Sequence, residues 1–257
     1  VVVELPVAGR VAWWGTAFLR GLVSPDDYRD AVLGDDAAHV FLGAGTGSVT
    51  STAPGSTGGR SLLEATAEVR RSGATAFGAA FPSPGDPHGV AGPPAFSMAA
   101  TDAGEAVLAL GVLTEPGTGW VPTQVGRAVE WTSYDARRRM PPDLGEADRA
   151  LRRTLLDAAN DLARLDVARW QPEVADDLHD LRDGAPLVAP PGVPARAVDL
   201  ARRALHLLDV VALALDSEGG AISASEVSAR RATLLPLGTA ARHALAAACS
   251  PDGWPEG

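Results

Sequence analysis

Hydrophobic residues recur along the chain in two rhythms, and the change falls near residue 125. Before it, short apolar runs alternate with turn residues. After it, apolar positions return every three or four residues, the period of an amphipathic helix. In the first part, residues 10–22 are expected to be helical. Ser24 reads as an N-cap, with Pro25 at the first helical position and Asp26 and Asp27 placed to favour the helix dipole. That helix should end before Gly34. Ser61 and Glu64 form a capping box that opens a further helix, closed at Gly73. Strands are expected at 39–42, 74–81, 95–100, 105–112 and 120–125, with a turn over Asp102–Gly104 joining the third and fourth. The spacing is too short for βαβ crossovers, so pairing should be antiparallel.

In the second part, Asp143 and Glu146 imitate a capping box before a helix of about 20 residues. Its apolar positions Leu151, Leu155, Ala158, Leu162 and Leu165 make a two-heptad seam. Pro172 opens a second helix that Gly184 closes, and the Pro-rich stretch 186–194 follows as a linker. Pro194 opens a third helix that ends near Gly219. Ser223 and Glu226 cap a fourth, which should kink or break at Pro236. The fold class predicted is α+β: a small, mostly antiparallel sheet with flanking helices in residues 1–125, and a helical bundle in 126–257. The two parts could pack as one body.

Composition changes the picture mainly by exclusion. The 257 residues carry 22 cations against 32 carboxylates, a net charge of −10, and every cation is arginine. With no lysine there is no phosphate-loop lysine, pyridoxal Schiff base or lysine nucleophile. The acidic balance argues against nucleic-acid and anionic-membrane partners. Ile and Asn occur once each, so a GC-rich, bacterial genome accounts for the bias. Cys249 is the single cysteine, which fits a reducing, cytoplasmic setting. The longest apolar run, Val210–Leu215, is far short of a membrane span, and no signal-peptide pattern is seen.

Several constellations could carry chemistry. The stretch Gly43–Ser48 follows a strand but lacks the third glycine of a dinucleotide fingerprint, and the segment from Ala44 to Gly59 is expected to be an exposed, mobile loop. The acidic cluster Asp176, Asp177, His179, Asp180 and Asp183 has metal-ligand types, yet Asp176, His179, Asp180 and Asp183 face away from the apolar seam. No metal and no cofactor is therefore assigned. On the third helix, Asp199, Arg202, His206 and Asp209 form a polar stripe running toward an apolar end, so a buried Asp209 is expected to take His206 or Arg202 as partner, either as a structural pair or, with His206, as a tuned acid–base pair. Trp131 and Tyr134 with Arg137, Arg138 and Arg139 could bind an anion over an aromatic face. No serine sits in a nucleophile elbow. The loop 82–94 has eight Pro or Gly among thirteen residues and carries Asp86 and His88. Its prolines should make it stiff, with His88 at the rim of the main cleft.

Two functions follow. The first is a module that binds a protein or small ligand in the groove between the two halves. Six of thirteen aromatics are tryptophan, and the adjacent Trp13 and Trp14 point about 100° apart on a helix. One should reach the core, and the other a homodimer or partner interface. The alternative is an enzyme whose class the sequence does not fix, a hydrolase being one option, working through His88 and Asp86.

Overall fold

The computed structural model describes residues 4–44, 59–111, 116–137, 139–164, 186–216 and 224–254. They fall into two compact units. A sheet unit is built on residues 5–142, 189–193 and 249–257, and a helical unit on 1–4, 143–188 and 194–248. The expected helix 172–184, its acidic cluster, the loop 45–58, Arg138 and the capping Ser223 lie outside the described residues. Among the described residues, no helix is long and apolar enough to cross a membrane.

The sheet unit opens with helix α1, in three consecutive pieces: Val7–Arg10, a π-helical turn Val11–Gly15, and Thr16–Leu19. Helix α2 (Pro25–Leu33) begins as its sequence dictates, with Ser24 and Asp27 capping each other's backbone. Strand β1 (Ala38–Ala44) follows, then α3 (Leu62–Arg71), opened by the reciprocal cap of Ser61 and Glu64. Next come β2 (Ala76–Ala80), α4 (Pro94–Ala103), β3 (Ala106–Leu110), β4 (Gly117–Val125) and β5 (Ala128–Ala136). The five strands form one sheet in the order β1-β5-β4-β3-β2. Every pairing is antiparallel except β1 with β5. The α+β class and the mostly antiparallel sheet are therefore as expected.

Alternation along the strands divides the core between two faces. On one, α4 lays Phe96 and Ala100 against Ala80, Leu108, Val121 and Ala136. On the other, Phe77, Trp120, Phe41 and Trp131 make a ladder of rings across β2, β4, β1 and β5, with centroids 5.2, 4.8 and 5.4 Å apart. The π-turn of α1 packs against β2. Gly15 is required there, because a Cβ would meet the Phe77 ring at 2.7 Å.

Two expectations for this unit were wrong. Residues 95–100 are helix, not strand: Pro94 starts the helix, and Phe96 and Ala100 recur at a helical spacing of four. Gly104 then sits at φ 76° as a left-handed helix cap, not in a hairpin turn. Strand β5 was not foreseen, and it carries the sheet unit past residue 125 to Pro142.

The helical unit contains α5 (Leu144–Arg164), α6 (Ala195–Asp216) and α7 (Ala224–Ala248), with α7 packed on both of the others. Asp143 accepts from the Glu146 amide at 2.6 Å, and the seam positions Leu151 and Ala158 are buried. Asp148 of α5 joins Arg203 of α6 and Arg152 of its own helix. Pro236 does not end α7. Pro236 and Ala232, whose carbonyl loses its helical donor, are both exposed, so the lost bond falls on the solvent side of the helix.

Gly119 lies directly beneath Phe96, where an added Cβ would lie 2.5 Å from a ring that is wholly buried. Gly119→Ala should therefore cost about 1–3 kcal/mol, the range for overpacking a core that cannot yield. Urea unfolding of the two proteins measures it, and equal midpoints would contradict the packing described.

Candidate functional site

The sheet has a sealed end and an open end. At the amino ends of β1 and β5, Asp36 accepts hydrogen bonds from His39 Nε2 (3.2 Å), Arg10 Nη2 (3.1 Å) and Gln124 Nε2 (3.3 Å). His39 is turned inward, its side chain only 3% exposed. The Trp131 indole N–H donates to its Nδ1 at 3.3 Å. An indole can only donate, so the proton of a neutral His39 is on Nε2, facing Asp36. Burial pushes the imidazole below its ordinary pKa against the pull of Asp36. Asp36 is itself held below the usual carboxylate range: burial raises it, but the bonds from His39, Gln124 and Arg10 prevail. This Asp–His pair resembles an acid–base dyad, yet both ring nitrogens are engaged within the protein, and the network ties α1, β1, β4 and β5 together at this end of the sheet.

Glu105, between α4 and β3, accepts from the Ala8 amide at the start of α1 at 2.8 Å. Burial pushes its carboxyl up to about 7, while that amide and the charge of Arg10 work the other way. Between the ordinary glutamate value of 4.5 and 7, the folded chain keeps a proton that the unfolded chain releases. Stability from this group therefore falls as pH rises through that window and is level above it. His39 acts with the opposite sign, since its depressed pKa favours folding as pH rises toward 6.5.

The Pro- and Gly-rich loop after β2 is ordered by a buried arginine. Arg139 is 8% exposed and donates to the carbonyls of Ala79 (3.3 Å) and Gly89 (3.2 Å), to Ser250 Oγ (2.7 Å) and to Asp252 (3.4 Å). Burial lowers its pKa against the charge of Asp252. Ser83 and Asp86 exchange backbone hydrogen bonds, and the Arg137 amide donates to Ala91. The expected stiffness is thus present.

At the open end, the carboxyl ends of β1 and β5 and the beginning of β4 face α3 across a cavity of about 340 Å³. Its walls include Arg60, Glu68, Ser72, Thr118, Ser133 and Tyr134, over the edge of Trp120. Arg60 is fixed twice: its backbone bridges to Phe41 of β1, and its guanidinium pairs with Glu68 on α3. Ser133 Oγ donates to the Leu42 carbonyl at 3.1 Å. The volume lies in the range of small-ligand sites, and the arrangement offers one cation, carboxylates and several hydroxyls.

Comparison with known proteins follows the same division of the chain. The N-terminal domain of the Rv1486c-like proteins matches residues 8–144, and the C-terminal domain matches 145–246. The chain belongs to the Rv1486c-like family. No curated protein and no solved structure matches it. In the family's terms, the cavity and the sealed network both lie in the N-terminal domain, and the boundary between domains falls at the start of α5.

Within that N-terminal domain the candidate residues are dispersed. Trp131 is fully buried in the ring ladder, whereas Tyr134, three residues along the strand, faces α4 and stacks on Phe96. Odd spacing on a strand puts the two rings on opposite faces, so they form no common anion platform. Arg137 is exposed, and Arg139 is buried, away from any such platform. His88 and Asp86 are half-buried on the ordered loop, and neither lines the cavity. In the C-terminal domain, Asp209 is exposed, because Leu207 and Val211 take the buried face of α6 and Asp209 lies about 200° from Leu207. Asp209 is therefore not buried as expected, although the charge of His206 still acts on its carboxyl. His206 is half-buried, with its Nδ1 enclosed and without a partner among the described residues. The cavity residues Arg60, Glu68, Ser72 and Thr118 were not singled out from sequence. Arg60 does precede the capping Ser61, the one signal that it sits at a helix start.

Two expectations arise from these groups. Glu105→Gln removes the falling component of the pH profile. The stability of the variant relative to wild type should rise by on the order of 1–3 kcal/mol between pH 4.5 and 7, then level. Denaturant titrations across that range test it, and a flat difference would refute the assignment. Arg139→Met should cost on the order of 3 kcal/mol by orphaning two carbonyls and Asp252. It should also speed amide exchange across residues 83–91, and Arg139→Lys should rescue little, since an ammonium lacks the planar fork.

Proposed function

We propose that the protein is a small-ligand-binding module whose site is the cavity at the carboxyl ends of β1 and β5. The observation that carries this reading is Arg60, anchored by its backbone to β1 and by its side chain to Glu68, in the wall of a cavity whose lining is mixed polar and apolar. Ligands of open α/β sheets gather outside the carboxyl ends of strands, where the helices leave a crevice. Here that crevice adjoins the parallel pair of the sheet. The ligand class that fits is a small polar molecule carrying an anionic group for Arg60 and donors for Glu68 and Asp135. No enzymatic role is assigned, because Asp86 and His88 lie away from this cavity and His39 has both nitrogens engaged.

The test is a thermal-unfolding screen with amino acids, nucleosides and sugar phosphates as probes. At least one class should raise the midpoint. Saturation at 100-fold over Kd contributes about 2.7 kcal/mol. Arg60→Ala, whose side chain is one-third exposed, should fold normally and lose the shift. Thr118→Trp, which fills the cavity, should lose it as well. A shift that survives both substitutions, or none with any class, would overturn this reading.

A further inference from the structure

A second concavity lies on the sheet unit, away from the strand ends. It is broad and open, about 810 Å³, and is lined by Trp14, Leu22, Val23, Ala31 and Pro191, with Asp27 and Asp30 along one side. The local sequence explains it. Trp13 is wholly buried, so its neighbour Trp14 is carried round α1 to a half-buried position on the groove. Gly21, at φ 72°, ends the helix and turns Leu22 and Val23 outward, leaving Leu22 46% exposed. Leu22 reaches over Gly192, whose φ of 92° and missing Cβ let it approach, and Pro191 completes the far wall. On the other side, α2 presents its first turns. Arg29 is paired with Asp26 and Asp30, while Asp27 accepts from Ser24 at the helix start, so the three carboxylates of these turns against one guanidinium leave a net −2. No cation is among the residues lining the groove.

We propose that this groove docks a basic segment of a partner protein, with an apolar side chain of the partner seated among Trp14, Leu22, Val23 and Pro191 and an arginine or lysine beside Asp30 and the Trp14 ring. The charge of the rim selects the sign of the partner. The apolar floor selects a segment that is not merely polycationic. The breadth and openness suit a peptide segment better than an enclosed small molecule. Tryptophan with an arginine over its face is a pairing on which interface energy concentrates. Trp13, the other ring expected from sequence to reach an interface, is excluded by its burial. The proposal is independent of the ligand cavity and would survive its failure.

The experiment uses the full chain and three labelled twelve-residue peptides read by fluorescence anisotropy. One alternates leucine and arginine, the second replaces each leucine by serine, and the third replaces each arginine by glutamate. The first should bind at least tenfold more tightly than the other two, and more weakly as salt is raised. Trp14→Ala should weaken it at least tenfold. Asp30→Arg, at an exposed side chain that leaves the fold intact, should weaken the arginine peptide and strengthen the glutamate one. That reciprocal swap separates docking from a loss of stability in the tryptophan variant. Equal binding of the serine and leucine peptides would reduce the effect to the overall charge and overturn the proposal. So would binding indifferent to Asp30→Arg, or no binding. Self-association in sedimentation that Trp14→Ala abolishes would assign the groove to a second copy and overturn it too.

Discussion

The stacking of Phe41 on Trp131 is the contact on which the rest of the sheet unit depends. The two rings are almost parallel, 3° apart in plane, and both are fully buried. They join β1 to β5, the parallel pair, which no short turn can hold in register. Trp120 meets Phe41 edge-on from β4 and passes the contact to Phe77 on β2. Register on this face is therefore fixed by large rings and not by hairpin geometry, and a one-residue slip would turn every ring to the opposite face. The same stack orients Trp131 so that its indole N–H reaches His39, linking the apolar ladder to the polar network beside it.

That link explains why the two ends of the sheet differ. At the amino end, β1 enters beside the start of β5 and the finish of β4, so Asp36, His39 and Gln124 are brought together with Arg10 of α1. Asp36 accepts from all three side chains, and of the Arg10 guanidinium only Nε is left buried without a partner among the described residues, so most of the cost of burying the cluster is offset. At the carboxyl end, α3 must start from a chain that has left β1, and the gap between helix and strands is what remains as the cavity. Its polar groups are partly paired among themselves, as Arg60 is with Glu68, but they keep exposed faces. A satisfied network makes a wall, whereas a half-exposed one makes a place to bind.

Much of the fold was legible where a local rule has one physical solution. The caps at Ser24 and Ser61 and the seam of α5 fall where the sequence puts them, because capping and helical periodicity act over a few residues. The segment 95–100 misled because a run of apolar residues with alanine fits either period, and Pro94 was the deciding signal. The cavity was illegible for another reason. Arg60 and Glu68 come from α3 and its approach, Thr118 from β4 and Ser133 from β5, and nothing in their spacing announces that the order β1-β5-β4 brings them together. Conversely, Trp131 and Tyr134 looked like partners because they are close in sequence, and the strand sends them to opposite faces. Arg139 shows the same limit, since nothing local marks it as buried while Arg137 is exposed.

The absence of lysine bears on this architecture as well as on the chemistry it excludes. The strongest polar junction of the sheet unit is Arg139, which at one point satisfies two carbonyls, a hydroxyl and a carboxylate drawn from β2, the loop and the segment 249–252. A lysine has three donors on one atom and cannot span acceptors disposed about a plane. Arg10 and Arg203 also sit at junctions between elements, binding Asp36 and Asp148. A guanidinium sheds water more readily than an ammonium, so such sites can be partly buried at lower cost. A composition that reads first as a codon bias has therefore left the chain with the cation best suited to tying loops and helices together. The same cation recurs at Arg60, where the cavity presents its one positive charge to a ligand.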